Sequence, residues 1–463
     1  MSESVPMPCS RPPSTLRTSL WFVTFSGMLF TVYIACTNPS GPLAVEFFKK
    51  LGANDFHFGL MTGVAQVMIA MLFVGAMLAN AVSRRKPLFM AVFIIARAVF
   101  IPIVFLPLIF RSASPNHMML LIIGFLAVSH AMTHVGSMMW QSWMADLIPH
   151  CVLNHYWGVR QRAMSIMGIA CSLTLAGVMW VCVQNGVPIT TTFPILVIIG
   201  VVAGVVDIVL FVHVHEPQHH VVRNRHIVNL LTEPVRDRAY RGFLGFQCLW
   251  AISACIGGAY VWVYSVEILK MPGAAMVLLL AVHGLGMGVS GKLWGKLADK
   301  HGHKPILLLT LCLKPMFLLG FGVSTSAQVA YFVLPPILLL DGFLNGGLFL
   351  AINGYQMKCS PRENRPMFIA ASSGLCGICA GMVTAAVGWM LSRFEGWSVV
   401  WHGFLITRYH VVFVVSMLLR WSCVPLTAIV HEPTSSHPRR VLEDIWARLN
   451  LQRWANSDDE KLD

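Results

Sequence analysis

The tetrapeptide Val214-His215-Glu216-Pro217 recurs as Val430-His431-Glu432-Pro433, each time directly after a long apolar segment. Other landmarks recur in the same order at offsets of about 212 to 220 residues, including Lys86-Pro87 and Lys304-Pro305, which both open an apolar segment. A repeated long-range offset of this kind is typical of a membrane protein built from internal repeats. The sequence therefore predicts one module present twice.

The composition places both copies in a membrane. Of 463 residues, 56% are hydrophobic and 11% are charged, with a mean hydropathy of +0.68, which is too apolar for a protein surrounded by water. Apolar segments of about 20 residues can cross the hydrocarbon core as helices. Six such spans are predicted in the first copy, at 19–37, 58–82, 88–110, 117–145, 163–183 and 191–213. Six more are predicted in the second, at 242–268, 274–297, 305–323, 328–357, 366–392 and 404–430.

Lys and Arg are concentrated in one set of loops, and positively charged loops stay on the cytoplasmic side. The pairs Arg84-Arg85 and Arg160/Arg162 belong to that set, as do the arginines of the central linker and of the C-terminal tail. The other set carries only Lys49, Lys50, Arg111, Lys270 and Arg393. Both termini are therefore predicted to be cytoplasmic, in a multi-pass protein of the plasma (inner) membrane. Topology then accounts for the net charge of +13, without nucleic-acid binding.

This topology divides the chain into five parts. They are an N-terminal tail at 1–18, a six-helix bundle at 19–213, a linker at 214–241, a second six-helix bundle at 242–430 and a C-terminal tail at 431–463. The first tail is polar and Pro-rich, without the apolar region of a signal peptide. The second contains an amphipathic pattern typical of a helix on the membrane surface, with Val441, Leu442, Ile445, Trp446 and Leu449 apolar and Arg439, Arg440 and Arg448 basic. A weaker pattern follows the first copy at Ile227, Leu230 and Leu231 and is interrupted by Pro234.

Cysteine and histidine are interpreted here as structural. Most of the 12 cysteines lie inside spans, where free Cys acts as a small hydrophobe. The pair Cys376/Cys379 has C-x-x-C spacing but lies in a Gly-rich run suited to close helix packing. The linker histidines could gather a metal, yet the repeated tetrapeptide explains His215 as part of a helix ending. We predict no metal, cofactor or disulfide framework, and metal binding by the linker stays an alternative.

The segment Gly295-Lys296-Leu297-Ala298-Asp299-Lys300-His301-Gly302-His303-Lys304 follows the eighth predicted span. It resembles the loop signature of the major facilitator superfamily, Gly-x-Leu-Ala-Asp-x-x-Gly-x-Lys/Arg. The first copy, Gly75 to Lys86, departs from the signature, because Asn80 lies near the expected Asp and Ser83 near the expected Gly. With the twelve predicted spans, the resemblance covers almost the whole chain. It implies an all-α fold of twelve transmembrane helices in two six-helix bundles related by a pseudo-two-fold axis.

The resemblance further implies a transporter that alternates between two open states by rocking the bundles about a central site. The loop signature would form a cytoplasmic gate in which Asp299 pairs with basic residues after span ten. Its members would be Arg84, Arg85, Asp146, Gly295, Asp299, Gly302, Lys304, Arg362 and Arg365. The loss of the Asp in the first copy puts the matching gate there in doubt. The alternative is that these charges only set topology.

In this superfamily spans one, four, seven and ten line the central cavity, so their polar residues are the candidate solute ligands. Span four presents His130, His134, Ser137 and Gln141 on one helical face. The other candidates are Tyr33, Asn38, Gln247, Trp250, Tyr260, Asp341, Asn345, Asn353 and Gln356. Such a set suits a small polar or amphipathic organic solute. The alternative for each residue is an interhelical hydrogen bond.

Ionisable residues inside spans are costly, so Asp341 and His134 are predicted to couple transport to protons. The alternative is that Asp341 stays ionised and pairs with a cation such as Na⁺ or a solute amine. Arg97, Lys314 and Arg420 lie in spans that are peripheral in the family. Arg97 needs a partner such as Asp207 or must extend to the membrane surface, and the sequence does not decide between the two.

Three classes of function fit the sequence. The leading one is a monomeric secondary transporter whose partners are a small-molecule solute, the bilayer and a coupling ion. A transporter-like sensor would bind a solute without moving it. A membrane enzyme would need a catalytic set at one membrane face, and the nearest approach is Asp146, His150 and His155. No phosphate-binding Gly-x-x-x-x-Gly-Lys-Ser/Thr loop is present, and we predict a protein that is not an enzyme.

Overall fold

A computed structural model of the chain describes residues 14–110, 114–217, 235–359, 365–402, 404–429, 432 and 435–447. Twelve helices in these ranges are long and apolar enough to cross a membrane, which confirms the predicted number. Spans one to six are Ser14–Lys50, Asp55–Ala79, Arg85–Pro107, Pro115–Leu147, Tyr156–Gln184 and Ile189–His213. Spans seven to twelve are Tyr240–Glu267, Gly273–His301, Lys304–Val323, Ala327–Lys358, Phe368–Arg393 and Arg408–Leu426.

Several spans are interrupted by residues that disfavour continuous helix. Span one breaks at 38–41, where Pro39 lacks an amide donor and Gly41 is flexible, and span seven breaks after Gly258. In the first half the helices are Ser14–Thr37, Pro42–Lys50, Asp55–Val67, Leu72–Ala81, Arg85–Ala98, Phe100–Ile109, Pro115–Leu147, His150–Gln184 and Ile189–Val209, with 3-10 turns at Met68–Met71 and Leu210–His213. In the second half they are Arg238–Gly258, Val261–Glu267, Gly273–His301, Lys304–Leu313, Met316–Val323, Ala327–Cys359, Arg365–Arg393, Arg408–Leu426 and the 3-10 turn Thr427–Ile429. A further helix covers 438–447.

Two boundaries differ from the sequence prediction. The helix that contains span five begins at His150 and not near 163, so that Arg160 and Arg162 lie in a helix and not in a loop. Span twelve begins at Arg408, because residues 404–407, predicted as its start, form the strand β2 (Phe404–Thr407), which pairs with β1 (Ser398–Trp401). The strands pair antiparallel, with Ser398 opposite Thr407. Apolar and β-branched residues fill this segment, and a short run of that composition fits either a strand or a helix.

The repeated tetrapeptide has the same structural role in both halves. The Glu216 carboxylate accepts hydrogen bonds from the backbone N–H groups of Arg85 and Lys86, at 2.5 and 3.0 Å. The Glu432 carboxylate accepts from His303 and Lys304, at 2.9 and 2.8 Å. These N–H groups lie at the start of spans three and nine, where the backbone donors lack helical partners and the helix dipole favours an anion. Each glutamate therefore ties the end of one span to the start of another.

An even number of spans separates the ends of the chain, so Ser14 and the 438–447 helix lie on one face, here called the terminal face. Buried apolar residues near this face form two separate cores, one in each half. One contains Phe89, Trp143 and Phe211, and the other contains Phe243 and Trp294. Toward the opposite face the buried residues of both halves merge into a single core. The halves are thus joined at the opposite face and have separate cores at the terminal face.

Small residues bring the two halves together where spans two and eleven pack. A side chain at Gly59 would place its Cβ 2.8 Å from the Cα of Gly388, and one at Gly381 would overlap the carbonyl oxygen of Gly63. Both separations are too short for a real Cβ atom, so the backbones approach as closely as glycine allows. The Gly-rich run around Cys376 thus packs helices, and its cysteine is free, with its Sγ 3.5 Å from that of Cys248.

Candidate functional site

The candidate residues of span four lie on one face of its helix. His130, His134 and Ser137 are half-buried and Gln141 is exposed. Ser137 donates only to the Thr133 carbonyl of its own helix, at 2.7 Å, and His130 Nε2 is buried without a partner among the described residues. Polar atoms in this state are costly unless a ligand or water meets them. This face is therefore the best candidate wall of a solute cavity.

The candidates on span ten fall into two groups. Asp341 is buried and accepts from Lys314 at 2.7 Å, with His283 Nε2 at 3.3 Å. Gln356 is buried as well and donates to the Ser372 hydroxyl at 2.5 Å. Asn353 donates to the Phe349 carbonyl of its own helix at 2.7 Å. Half-buried Asn345 completes the set. In this conformation Gln356 makes the interhelical bond that was its alternative role.

On span one, the candidates have structural partners. Tyr33 is buried, and the Arg97 guanidinium lies 3.8 Å from its ring centroid. Asn38 is exposed at the helix break, where its Oδ1 accepts from the Ser40 amide at 3.1 Å. Arg97 also faces Asp207, with 3.7 Å between Nη2 and Oδ2. The partner of Arg97 left open by the sequence is thus Asp207, which also accepts from the Ser26 hydroxyl.

On span seven, Tyr260 has a hydrogen-bond partner, whereas Gln247 and Trp250 are candidates for contact with a solute. Tyr260 is fully buried and donates to the Thr384 carbonyl at 3.1 Å. Gln247 Oε1 is buried without a partner in the described ranges. Half-buried Trp250 lies 5.7 Å from the Arg420 guanidinium. Gln247 and Trp250 are therefore the span-seven residues best placed to meet a solute.

The buried charges follow the internal repeat but with altered signs. The repeat offset of about 212 to 220 residues relates Arg97 to Lys314 and Asp207 to Arg420. Lys314 and Arg420 are both cations, and Asp341 neutralises the first from span ten. Arg420 donates to the backbone carbonyls of Ser253 and Ala254, at 3.4 and 3.0 Å. The second half therefore places a cation where the first has an anion.

Of the predicted gate residues that the structure describes, Arg85 and Asp146 pair with each other within the first half. Arg85 donates to the Ser142 hydroxyl at 2.6 Å and to Asp146 at 2.5 Å. Arg84 is exposed, as is Asp299. The predicted partners of Asp299 are Arg362 and Arg365, and Arg362 and the side chain of Arg365 lie outside the described residues. The pairing stays a prediction.

Gly302 has a structural reason to be glycine. Its φ of +85° lies in the left-handed region, and a Cβ there would be 3.1 Å from the Glu432 carboxylate. Gly295, by contrast, has open space around it. Lys304 contributes its backbone N–H to Glu432. The second copy of the loop signature is therefore shaped around the glutamate of the repeated tetrapeptide.

Two carboxyl groups at the terminal face are held in the ionised form. Burial raises the pKa of Glu432, but hydrogen bonds from Lys358 (2.7 Å), the Lys304 amide and His303 (3.3 Å) outweigh it, so the pKa is lowered overall. Hydrogen bonds from Lys300 (2.6 Å) and His301 (2.9 Å) lower the pKa of Asp444 to about 2. Asp444 belongs to the 438–447 helix, which is thereby attached to the end of span eight.

The 438–447 helix contains part of the predicted amphipathic pattern, and its position on the membrane surface stays a prediction. Val441 is fully buried in the terminal-face core of the second half, with Ile445 against it. Leu442 and Trp446 are 51% and 66% exposed. Leu449 and Arg448 lie outside the described residues, as does the linker stretch at 227–231. His150 and His155 of the enzyme alternative have side chains that the structure leaves undescribed, and Asp146 pairs with Arg85.

At the opposite face, an ion network joins the two halves. Asp55 of the first half accepts from Arg408 Nε at 2.9 Å and from the Tyr409 hydroxyl at 2.8 Å, both in the second half. Glu267 of the second half accepts from Lys49 at 2.5 Å and from Arg408 at 2.6 Å. We call these five residues the opposite-face network.

Sequence reasoning missed this network. In the sequence Lys49 is only one of several loop charges, and Asp55, Glu267 and Arg408 lie at the ends of spans, where a charge does not indicate a special role. The available signal was that four ionisable residues stand at helix ends on the same predicted side. No spacing rule relates them, since the network joins residues more than 350 positions apart in its longest pairing.

Comparison with known proteins places this architecture in a family. The family model of the Major Facilitator Superfamily matches residues 20–384, most of the chain. The chain belongs to the Major Facilitator Superfamily. This agrees with the loop signature after span eight and with the twelve described spans.

Individual relatives are distant. Synaptic vesicle glycoprotein 2C is 31% identical in Rattus norvegicus and 30% identical in Homo sapiens, over 132 residues that are 28% of this chain. The match spans 17% of that glycoprotein's length. It therefore says little about the function of the whole chain.

Solved structures share the fold over nearly the full length. A point mutant of the nucleoside transporter NupG has a TM-score of 0.64 at 12% identity, covering 90% of this chain and 100% of that one. A D-xylose–proton symporter has a TM-score of 0.62 at 16% identity, covering 90% and 99%. At these identities the likeness establishes the fold of two six-helix bundles and not the solute.

Proposed function

We propose that this superfamily member is a secondary transporter that moves a small polar or amphipathic organic solute by alternating access. One observation carries the proposal: the halves share a core and an ion network at the opposite face and have separate cores at the terminal face. A cavity between the bundles would then be closed at one face and open at the other. The excess of Lys and Arg at the terminal face supports a cytoplasmic location for it.

The opposite-face network is the contact that must open in the alternate state. Asp55 and Arg408 have side chains only 1% and 7% exposed, so separating them exposes charges that now satisfy each other. Separating a buried ion pair costs free energy when either charge stays buried without its partner. Water entering between separated halves would solvate both groups and offset that cost, which makes the network a reversible closure and not a permanent join.

The solute would meet the face of span four across from span seven. His130 Nε2 and Gln247 Oε1 are buried and unbonded among the described residues, one in each half. A polar solute between them would supply the missing partners. Its departure would leave both atoms to water in the open state. The solute is therefore expected to contact both halves, as alternating access requires.

Asp341 is proposed as the coupling group. It pairs with Lys314 and His283, whereas the sequence predicts His134 as the second titrating group. A proton on Asp341 would release Lys314, and so change which charges the second half holds. The alternative remains that Asp341 keeps its charge and the coupling ion is Na⁺.

We further propose a monomer in the plasma membrane with both termini cytoplasmic. The deciding experiment is solute flux into proteoliposomes that contain the purified chain, using solutes that raise its thermal stability. Accumulation inside the vesicles supports transport. Binding without flux would identify the sensor alternative, and a chemically altered solute would identify an enzyme.

A further inference from the structure

Arg160 lies in the first half of the molecule, between three spans. It belongs to span five, and its guanidinium lies 5.0 Å from the ring centroid of Trp140 and 5.4 Å from that of Trp157. Its Nε donates to the Val23 carbonyl of span one at 3.4 Å. Span one can approach because residue 27 is glycine, where a Cβ would lie only 2.8 Å from Arg160 Nη2. Two indole rings and a backbone carbonyl thus fix the orientation of a half-buried cation.

The buried cations Lys314 and Arg420 are compensated more directly than Arg160. Lys314 pairs with Asp341, and Arg420 donates to two backbone carbonyls. Within the described residues no carboxylate lies within 4.0 Å of Arg160, and its two outer nitrogens make no hydrogen bond. A guanidinium whose planar pair of donors is free is suited to bind an oxyanion with two parallel hydrogen bonds.

Asp207 is the carboxylate whose charge reaches Arg160 from a longer range. It is engaged elsewhere, because it accepts from the Ser26 hydroxyl and faces the Arg97 guanidinium. Asp207 therefore offsets part of the charge of Arg160 and leaves its outer donors available.

The side chains around Arg160 also favour the binding of an anion. Span four, which contributes Trp140, also contains His130 and His134, side chains that carry no negative charge. The carboxylate near the terminal end of span four, Asp146, pairs with Arg85. The two indole rings are half-buried and offer apolar surface beside the charge. A carboxylate on a small organic skeleton matches this combination of one cation and two rings.

We propose that Arg160, held between Trp140 and Trp157, binds the carboxylate of a small organic anion and makes carboxylates the solute class of this protein. The inference rests on the transport function proposed above. Arg160 lies against spans one and four, which makes a solute carboxylate and not a lipid phosphate its natural partner. Removing a charge-assisted pair of hydrogen bonds is expected to weaken binding by about tenfold or more.

The test is a thermal-shift titration of the full-length purified chain with matched probes: acetate, succinate and benzoate, their amides, and benzylamine. At least one carboxylate is expected to raise the melting temperature where its amide does not. Arg160→Gln should raise the apparent Kd of that carboxylate about tenfold or more. Arg162→Gln, an exposed arginine two positions along the same helix, should leave it unchanged. Arg160→Lys, which keeps the charge without the planar donors, should fall between.

Three results would overturn the proposal: no carboxylate shifts the wild type, amides or benzylamine shift it as well as carboxylates do, or Arg160→Gln binds carboxylates as tightly as the wild type. The unliganded melting temperature shows whether Arg160→Gln is folded, and Arg160→Lys carries the test if it is not.

Solute flux into proteoliposomes distinguishes failure of the carboxylate proposal from failure of the proposed transport function. Flux of a neutral solute that Arg160→Gln leaves intact would overturn the carboxylate assignment and keep transport, whereas carboxylate binding without flux would keep the site and reject transport.

Discussion

At the residue scale, Asp444 shows how one carboxylate attaches a peripheral helix. It accepts from Lys300 and His301, which lower its pKa to about 2. A carboxyl whose pKa is lower when folded contributes stability above its unfolded pKa of about 3.9 and loses it as the pH falls through the folded value. We therefore expect the 438–447 helix to detach between about pH 4 and about pH 2.

The change can be followed by the emission of a fluorophore attached to the helix at Leu442, which is exposed. Asp444→Asn should detach the helix at neutral pH. The matched control is Glu443→Gln, because in the part of the chain that the structure describes Glu443 pairs only with exposed Arg439, four positions earlier. An unchanged acid transition in Asp444→Asn would show that this carboxylate does not hold the helix.

Asp341 makes a second prediction at the same scale. If it carries the coupling proton, Asp341→Asn should abolish accumulation against a gradient while exchange of solute at equal concentrations continues, since an amide can neither load nor release a proton. Uptake with an imposed pH gradient measures this in proteoliposomes. Asp237→Asn, an aspartate outside the spans, serves as the control. Concentrative uptake by Asp341→Asn, or uptake that follows Na⁺ and ignores pH, would assign coupling elsewhere.

At the element scale, glycines set how closely spans two and eleven pack. Gly381→Leu would push against the Gly63 carbonyl, which its Cβ would overlap, and overpacking of this kind costs about 1–3 kcal/mol. We expect lower thermal stability and a weaker closure at the opposite face. Gly288→Leu, at a position with open space in span eight, should change neither. Equal melting temperatures for the two variants would contradict the packing account.

Sequence patterns predicted elements well where one physical requirement dominates. A span needs about 20 apolar residues, so the number of spans follows from hydropathy alone, and the repeated Val-His-Glu-Pro marked equivalent points in both halves. The strand at 404–407 is predicted as helix from the sequence, because a short apolar run does not reveal its own conformation. Arg160 was assigned to a loop for a related reason: a charge suggests a helix end, yet two indole rings allow this one to lie inside a helix.

The candidate site was predicted less well than the fold. Polar residues on span four could be identified because one helix face follows from spacing. Whether Gln356 meets a solute or Ser372 depends on a neighbouring span, and so does the pairing of Asp341 with Lys314. Contacts between distant spans depend on helix rotation, which hydropathy does not specify. The opposite-face network is invisible for the same reason.

At the scale of the whole molecule, orientation can be checked independently. The Lys and Arg distribution predicts that the terminal face is cytoplasmic. Reporter fusions after Lys50 and after Lys270 should both report an external location, and a fusion after Lys300 should report a cytoplasmic one. A cytoplasmic signal after either of the first two would reverse or break the topology, and would place the opposite-face network inside the cell.

The central claim is that two bundles, closed together at the opposite face, exchange closure between the faces. Spin labels at exposed Lys50 and Lys270, in a background without reactive cysteines, measure the separation of the halves at the opposite face, and labels at exposed Ser83 and Lys296 measure it at the terminal face. The wild type should give a narrow, short distribution for the first pair. The double variant Asp55→Asn/Glu267→Gln should lengthen the distance at the opposite face and shorten the distance at the terminal face. Glu395→Gln, at an exposed position, should change neither distance. Unchanged distances at both faces in the folded double variant would contradict alternating access controlled by this network.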